Sequence, residues 1–392
     1  MASVKLIFAS DLAPIRRFAD MMAKTPEKIY GDLLPQFRKA DYRIVNLESP
    51  LTSVTEYITK SGAAFSGRPE HISSLKAAGF QAAVCANNHA FDCGEKGFFE
   101  TKNLLESHGI ACLGAGRNIR EAVKPLSLTL NGVKIAIFAI SEGEDRMGAS
   151  AGKAGVAPWQ VEELARRIRA ARRSYDAVLV SAHCGLEYQP YPSFYVYQAF
   201  RKWAEAGASL MIGHHPHVPQ GMTVFGTTPA YFSLGNFAFY QATDLFYRKI
   251  GYFLEMELDQ SGILSHRPVP YRIAGDGLHL LAGSDVSEFE QLFVELSTPL
   301  RDERDALKAW HAVLAVNGRE GFCRELEKIL AALRETPEKG AAMLRNRVNC
   351  MQHLTQWGDG MTRIMDGTIQ DAPPEYTALV RKYLTRTLGD ER

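Results

Sequence analysis

The chain has 392 residues, with 45 Lys and Arg against 44 Asp and Glu, a formal charge of +1 and 46% apolar residues. This is the composition of a folded globular protein, long enough for two or three domain-sized units, and it excludes a disordered or fibrous chain. The near-zero charge creates no global field that would attract nucleic acid or anionic lipid, so a charged substrate has to be met by local groups and no nucleic-acid partner is expected.

The segment from Met1 to Ser10 has neither the basic nor the apolar stretch of a signal peptide, and no window approaches the roughly 18 apolar residues needed to cross a bilayer. Cys85, Cys93, Cys112, Cys184, Cys323 and Cys350 show no C-x-x-C spacing and no disulfide framework. A cytoplasmic protein without a membrane anchor is therefore expected.

Short apolar runs predict strands over 4–9, 42–47, 80–85, 133–140, 177–182, 208–212, 230–234 and 251–258. Amphipathic stretches between them predict helices near 27–40, 70–78, 95–108, 158–173 and 194–206. Alternation of this kind indicates a layered α/β fold. Turn signals at 225–229 and 259–262 add antiparallel hairpins, so a mixed sheet, or two packed sheets, is expected over 1–280. From about residue 285 the strand signal stops, and 288–296, 300–313, 322–333 and 374–384 carry apolar residues at helical spacing. Residues 285–392 therefore read as a helical C-terminal region that serves packing, a homo-oligomer contact or a substrate lid. His311 and His353 stand apart there from any cluster of ligand-type residues.

The informative pattern lies at the strand ends. Ser10-Asp11, Asn46-Leu47-Glu48, Asn87-Asn88-His89 with Asp92, His183 with Glu187, and Gly213-His214-His215-Pro216-His217 each follow a predicted strand. In α/β sheets such ends form one rim where ligands gather. A pair of divalent cations needs a bridging carboxylate, further carboxylates and neutral imidazole or amide ligands. Asp11 and Glu48 supply the first kind, and Asn88, His183, His215 and His217 the second. This mixture suits Mn, Fe or Zn better than Ca or Mg.

Taken singly, each cluster has a structural alternative. Asp11 suits a helix N-cap. Asn46 and Glu48, which share one strand face, suit an exposed edge, and Asn87-Asn88 an Asx turn. In an extended segment His215 and His217 face one way and His214 the other. The joint occurrence of all five clusters points to a metal site.

The ordered motifs Asp41-Tyr-Arg-Ile-Val-Asn-Leu-Glu-Ser-Pro-Leu-Thr52, Asn87-Asn-His-Ala-Phe-Asp-Cys-Gly94, Gly114-Ala-Gly116 with Glu121-Ala122, His183-Cys-Gly-Leu-Glu-Tyr188, Gly213-His-His-Pro-His-Val218 and Phe232-Ser-Leu-Gly-Asn-Phe237 resemble the CapA family of poly-gamma-glutamate and capsule biosynthesis. That family lies within the calcineurin-like metallophosphoesterase superfamily, and the resemblance spans about residues 4–275. It implies a layered sandwich of two mixed β-sheets flanked by helices. It also implies a centre of one or two transition-metal ions, with Asp11 on one ion, Glu48 bridging and Asn88 on the other. His183 and His215 would complete the second site and His217 the first. His89 would act as general acid or transition-state stabiliser, oriented by Asp92. Asn46, Asn87, Glu187, His214 and Asn236 would support the centre or face substrate.

Two departures from the family pattern stand out. No histidine follows Asp11 at the second position, where Ala13 stands, which leaves a one-metal centre open, and Cys184 replaces a usual tryptophan. The leading expectation is a metal-dependent hydrolase acting on a phosphoester in a small-molecule or polymer substrate. The alternatives are glutamyl amide hydrolysis or transfer in polyglutamate metabolism, and a non-catalytic polymer-binding protein with a relict site. Arg16, Arg17 and Arg68 are the cations that loop position would allow near a phosphate.

Overall fold

The computed structural model describes residues 3–389. Two mixed sheets pack face to face with helices outside each. The first runs in the order Gly277–Leu280, Gly262–Ala274, Ile250–Asp259, Val4–Ala13, Tyr42–Leu47, Ala82–Val84 and Ala111–Leu113, with Asn236–Phe239 joined to the end of Val4–Ala13. The second runs Met222–Phe225, Thr228–Tyr231, Leu210–His214, Ala177–His183, Val133–Ser141 and Leu126–Leu130.

Side-chain alternation along a strand explains the layering. In Val4–Ala13, Leu6 and Phe8 enter the core between the sheets, where they meet Ile44, Val84, Ile135, Leu179 and Ile212. Ile7 and Ala9 face the other way, toward Phe18, Ile29 and Phe37 on the outer helices. Behind the second sheet, Phe138, Val178 and Val180 pack on Ile168, Phe200 and Trp203. The central strands are apolar on both faces because both faces are covered, and their parallel pairing places their C-terminal ends along one rim.

Three differences from the sequence reading stand out. Gly262–Ala274 forms a strand of 13 residues that the apolar runs did not show. Its Pro268 and Pro270 stand opposite Leu254 and Tyr252, while the outer ladder begins only at Tyr271 and Pro270 meets it just through its carbonyl, which accepts from the Leu281 N–H at 3.1 Å, so the missing N–H groups fall at or beyond the end of that ladder. The helix expected over 27–40 is broken into Pro26–Tyr30, the 3-10 turn Gly31–Leu33 and Leu34–Phe37. Gly31 has φ 48°, and a Cβ there would meet the Leu278 carbonyl oxygen at 2.7 Å. The third difference is in the C-terminal region, where two helices appear beyond those expected.

That region contains Ser284–Ser297, Glu303–Glu335, Pro337–Asn349, Met351–Met365 and Pro374–Thr385. Gly318, at φ 57°, interrupts the longest of these, which accounts for the two separate apolar stretches seen in the sequence. The Pro337–Asn349 helix carries Gly, Arg and Asn among its apolar residues, so its periodicity is weak, whereas Leu354, Trp357, Met361 and Ile364 form an apolar stripe on Met351–Met365 that the sequence reading passed over. Trp310, Val313, Leu314, Phe322, Val380 and Tyr383 pack on Tyr191, Val218, Tyr247 and Ile250 of the α/β body. The rings of Tyr247 and Tyr383 stack with centroids 3.8 Å apart. Among the described residues, no helix is long and apolar enough to cross a membrane.

Candidate metal centre

Asp11 lies inside its strand, where a register shift between Ala9 and Asp11 re-aims the chain, and the next helix starts only at Arg16. The N-cap alternative therefore fails. Asp11 pairs across the sheet with Asn46 on one side and Asn236 on the other. Asn46 Nδ2 donates to Asp11 Oδ1 at 2.8 Å and lies 3.3 Å from His183 Nδ1. Asn46 and Glu48 are buried, so this face is no exposed edge.

Asn87 and Asn88 divide the two roles considered for them. Asn87 Oδ1 accepts from the His89 N–H at 3.1 Å, which closes an Asx turn, and its Nδ2 donates to the Leu47 carbonyl at 2.9 Å. Asn88 turns inward, its Oδ1 3.0 Å from His183 Nε2. Within Gly213–His217 the convergence does not come from strand alternation. His215 has φ 98° and His217 φ 57°, left-handed conformations that are unfavourable for L-residues and are held by the surrounding structure. Gly213 permits the approach, since a Cβ there would stand 1.9 Å from the Phe232 carbonyl oxygen.

The result is three overlapping ligand-type groups: Asp11, Glu48 and His217; Glu48, His183 and His215; and Glu187, His215 and His217. Glu48 is common to the first two, with Oε1 3.4 Å from His183 Nε2 and 3.7 Å from His217 Nε2. Asp11 Oδ2 is 3.3 Å from His217 Nδ1, and Asp11 Oδ1 is 3.5 Å from His214 Nδ1. Asn236 Oδ1 lies 2.9 Å from His217 Nδ1. Glu187 is exposed and marks the solvent side of the centre.

The electrostatics test whether a cation fits. Both oxygens of Glu48 are buried without a hydrogen-bond partner among the described residues, and so is His215 Nε2. Burial and the neighbouring Asp11 charge push Glu48 well above the usual carboxylate range. Burial acts the same way on Asp11, but His214 and His217 hold it well below that range. Burial opposes a charge on His217, yet Glu48 and Asp11 raise its pKa well above 6.5. Two buried carboxyl groups, with an imidazole between them drawn toward its charged form, mark a place short of positive charge, which a cation would supply. Burial pushes His215 down to about 4, and burial with His215 lowers His183, so both present neutral nitrogen. Unpartnered carboxylate oxygens beside neutral imidazoles form a donor set that fits a divalent cation.

His89 stands beside this set. Its Nδ1 is 2.7 Å from Asp92 Oδ2, and its ring stacks on Phe65 at 4.0 Å. Lys60 Nζ donates to Asp92 Oδ1 at 2.8 Å and to the Asn88 carbonyl at 2.8 Å. Burial and the Lys60 ammonium lower His89 to about 4 despite Asp92.

The positions that set this sequence apart from its family pattern have clear surroundings. Ala13 joins the apolar cluster of Ile15 and Phe239. Cys184 sits in the core behind the second sheet and does not face the centre. Arg68 pairs with Glu70 at 2.5 Å, and Arg16 and Arg17 are exposed at the start of an outer helix; no described contact brings any of the three to the centre.

Several residues near the centre were absent from the sequence reading. Lys60 and Phe65 lie in an irregular stretch with no periodicity. Glu142 and Glu144 follow the strand Val133–Ser141 just as the other clusters follow theirs, so the same rule could have found them. Asn88 Nδ2 donates to Glu144 Oε2 at 3.0 Å, and Glu144 Oε1 is 3.9 Å from His215 Nε2. His353 does not stand apart, because its Nε2 comes within 4.0 Å of Glu144 Oε1. Its neighbour Gln352 donates directly to Glu144.

Known proteins are similar to part of this chain. The PGA biosynthesis protein CapA of Bacillus subtilis (strain 168) is 32% identical over 221 residues, which is 56% of this chain and 58% of that protein. The capsule biosynthesis protein CapA of Bacillus anthracis is 30% identical over 222 residues, covering 54% of each. The chain spans about half the length of the curated relatives it matches. Among solved structures, a 5'-nucleotidase precursor from Thermus thermophilus aligns with a TM-score of 0.44 at 10% identity, over 76% of this chain and 59% of that one. The family model described as bacterial capsule synthesis protein PGA_cap matches residues 5–241, more than half of the 392, and the chain belongs to that family.

Proposed function

We propose that the protein is a metal-dependent hydrolase that cleaves a phosphoester in capsule or polyglutamate-type polymer metabolism. The observation that carries this reading is Glu48, whose two buried oxygens lack partners between two groups of ligand-type side chains. Asp11, Glu48 and His217 would hold one cation, and Glu48, Asn88, His183 and His215 a second. Mn, Fe or Zn suits these donors, and such an ion when bound would bring the pKa of a water toward neutrality and offset charge on a phosphoryl oxygen.

The chain's own groups do the rest. Asn46 and Asn236 orient Asp11 and His217 through the bonds given above. Asp92 fixes the His89 ring, keeping the proton on Nδ1 and turning Nε2 outward. His89 rests neutral, so it serves as proton donor only once the negative charge of a bound substrate offsets the Lys60 ammonium.

A second reading, cleavage or transfer at a glutamyl amide, is favoured by one observation: Arg16, Arg17 and Arg68 are not at the centre to grip a phosphate dianion. The relatives are named for PGA and capsule biosynthesis, which supports the polymer setting for either reaction. A panel of phosphomonoesters, phosphodiesters and glutamyl peptides, assayed with Mn, Fe, Zn and no metal, separates them. Metal-stimulated turnover of phosphoesters alone supports the first reading, and of glutamyl peptides alone the second. No turnover with any metal would leave a binding protein.

A further inference from the structure

The Met351–Met365 helix lies outside the family match, yet it reaches the centre. Gln352 Nε2 donates to Glu144 Oε1, Glu144 Oε2 accepts from Asn88 Nδ2 at 3.0 Å, and Asn88 Oδ1 lies 3.0 Å from His183 Nε2. All four side chains are buried. An amide has one donor end and one acceptor end. With Nδ2 committed to the Glu144 carboxylate, the oxygen is the end left for the His183 side, and oxygen is the end a cation can use. Glu144 in turn is held in place by Gln352. Without that donor, one carboxylate oxygen loses its bond and has His215 and His353, at 3.9 and 4.0 Å, as alternatives.

A second feature points the same way. Glu144 sits in a turn where Asp145 and Arg146 have φ 52° and 63°, a conformation that persists only when neighbours hold it. The neighbours include the C-terminal helices. The Asp145 N–H donates to Asn346 Oδ1 at 3.1 Å, and Arg345 lies 3.7 Å from the Asp145 carboxylate. From the other side, Ser61 donates to Asp145 through its N–H and its hydroxyl at 2.9 Å each.

We infer that Gln352 and Glu144 are positioning residues for the Asn88 side of the centre: the C-terminal helix sets which end of the Asn88 amide faces the ligand groups, and so sets the affinity of one cation without touching it. This rests on the metal reading above. Residues that orient a ligand from behind typically change metal affinity by about 10- to 100-fold when removed.

The test is calorimetric titration of the full, metal-stripped chain with Mn²⁺, comparing wild type with Gln352→Met, Glu144→Gln and Asp11→Asn. The expected result is one Mn²⁺ ion bound about 10- to 100-fold more weakly in both Gln352→Met and Glu144→Gln, with any ion lost in Asp11→Asn unaffected. Thermal melts of the metal-free proteins run alongside. Wild-type affinity in both variants overturns the inference. So does equal weakening of every ion together with a lowered melting temperature, because a merely structural contact would do that. Failure of the wild-type chain to take up Mn²⁺ overturns the metal reading itself, a separate outcome.

Discussion

The α/β body and the helical region both bring polar groups to the same place, but by different means. The body uses backbone: parallel strands end together, and residues within or just past those ends land on one rim, so Asp11, Glu48, Asn88, His183 and His215 meet although up to 204 positions separate Asp11 from His215. The helical region uses side chains alone. Gln352, Asn346 and Lys339 project from helices outside both sheets, and they reach loops of the body rather than the ligand groups. The lesson is that the first mode tolerates much sequence change around the strand ends, whereas the second depends on individual side chains.

The strongest challenge to this comparison is removal of a residue placed by backbone. His215→Ala should lose metal and reduce turnover to background, measured by elemental analysis and by the assay panel above. Retention of both would show that the rim does not form the centre. Next, His89→Ala should keep metal but lower turnover by about 10²- to 10⁴-fold, the range for a positioned acid or base. Parallel loss of metal would instead make His89 part of the ligand set.

Smaller effects sharpen the boundary between the regions. Trp310→Ala removes a buried ring and its bond from Nε1 to Asp359 Oδ2 at 2.8 Å, and should destabilise the chain by about 3–5 kcal/mol. A chemical melt should show one transition shifted as a whole, since Trp310 shares a core with Val218, Tyr247 and Ile250. Two separated transitions would make the helical region an independent unit. The smallest change is expected for Lys339→Met. Lys339 Nζ donates to the Lys60 and Gly62 carbonyls at 2.9 and 2.6 Å, and losing these bonds should cost about 1 kcal/mol. Faster amide hydrogen exchange near Gly62 is the local signature to measure.

The two modes also explain what could be read from the chain. Strands such as Ala177–His183 are largely apolar on both faces because both faces are covered, so their ends, and the polar residues there, are visible as edges in the sequence. Glu144 obeys the same rule after Val133–Ser141, although no histidine or amide beside it draws the eye. Lys60 had no such marker, since it lies in an irregular stretch and owes its role to Asp92 and Asn88, 32 and 28 positions away. Gln352 and His353 were hidden for another reason. Their helix has an apolar stripe at Leu354, Trp357, Met361 and Ile364 that the sequence reading passed over, and nothing local marks Gln352, whose partner Glu144 lies 208 positions away. The left-handed turns at His215 and His217 are likewise tertiary: nothing in Gly-His-His-Pro-His prescribes them, and although these two histidines do converge as alternation expected, the turns rather than an extended strand bring them together.

The ligand groups are divided between the two sheets, with Asp11 and Glu48 on the first and His183, His215 and His217 on the second. No one sheet holds a complete set, so an unfolded chain, or one with its sheets apart, offers a cation little. Binding would therefore favour the docked state by mass action, adding about 2.7 kcal/mol at a hundredfold excess of free ion over Kd. The melting temperature should then rise with the logarithm of metal concentration, and a chelator should lower it. In this protein the availability of metal would govern how long the chain survives as well as what it can do.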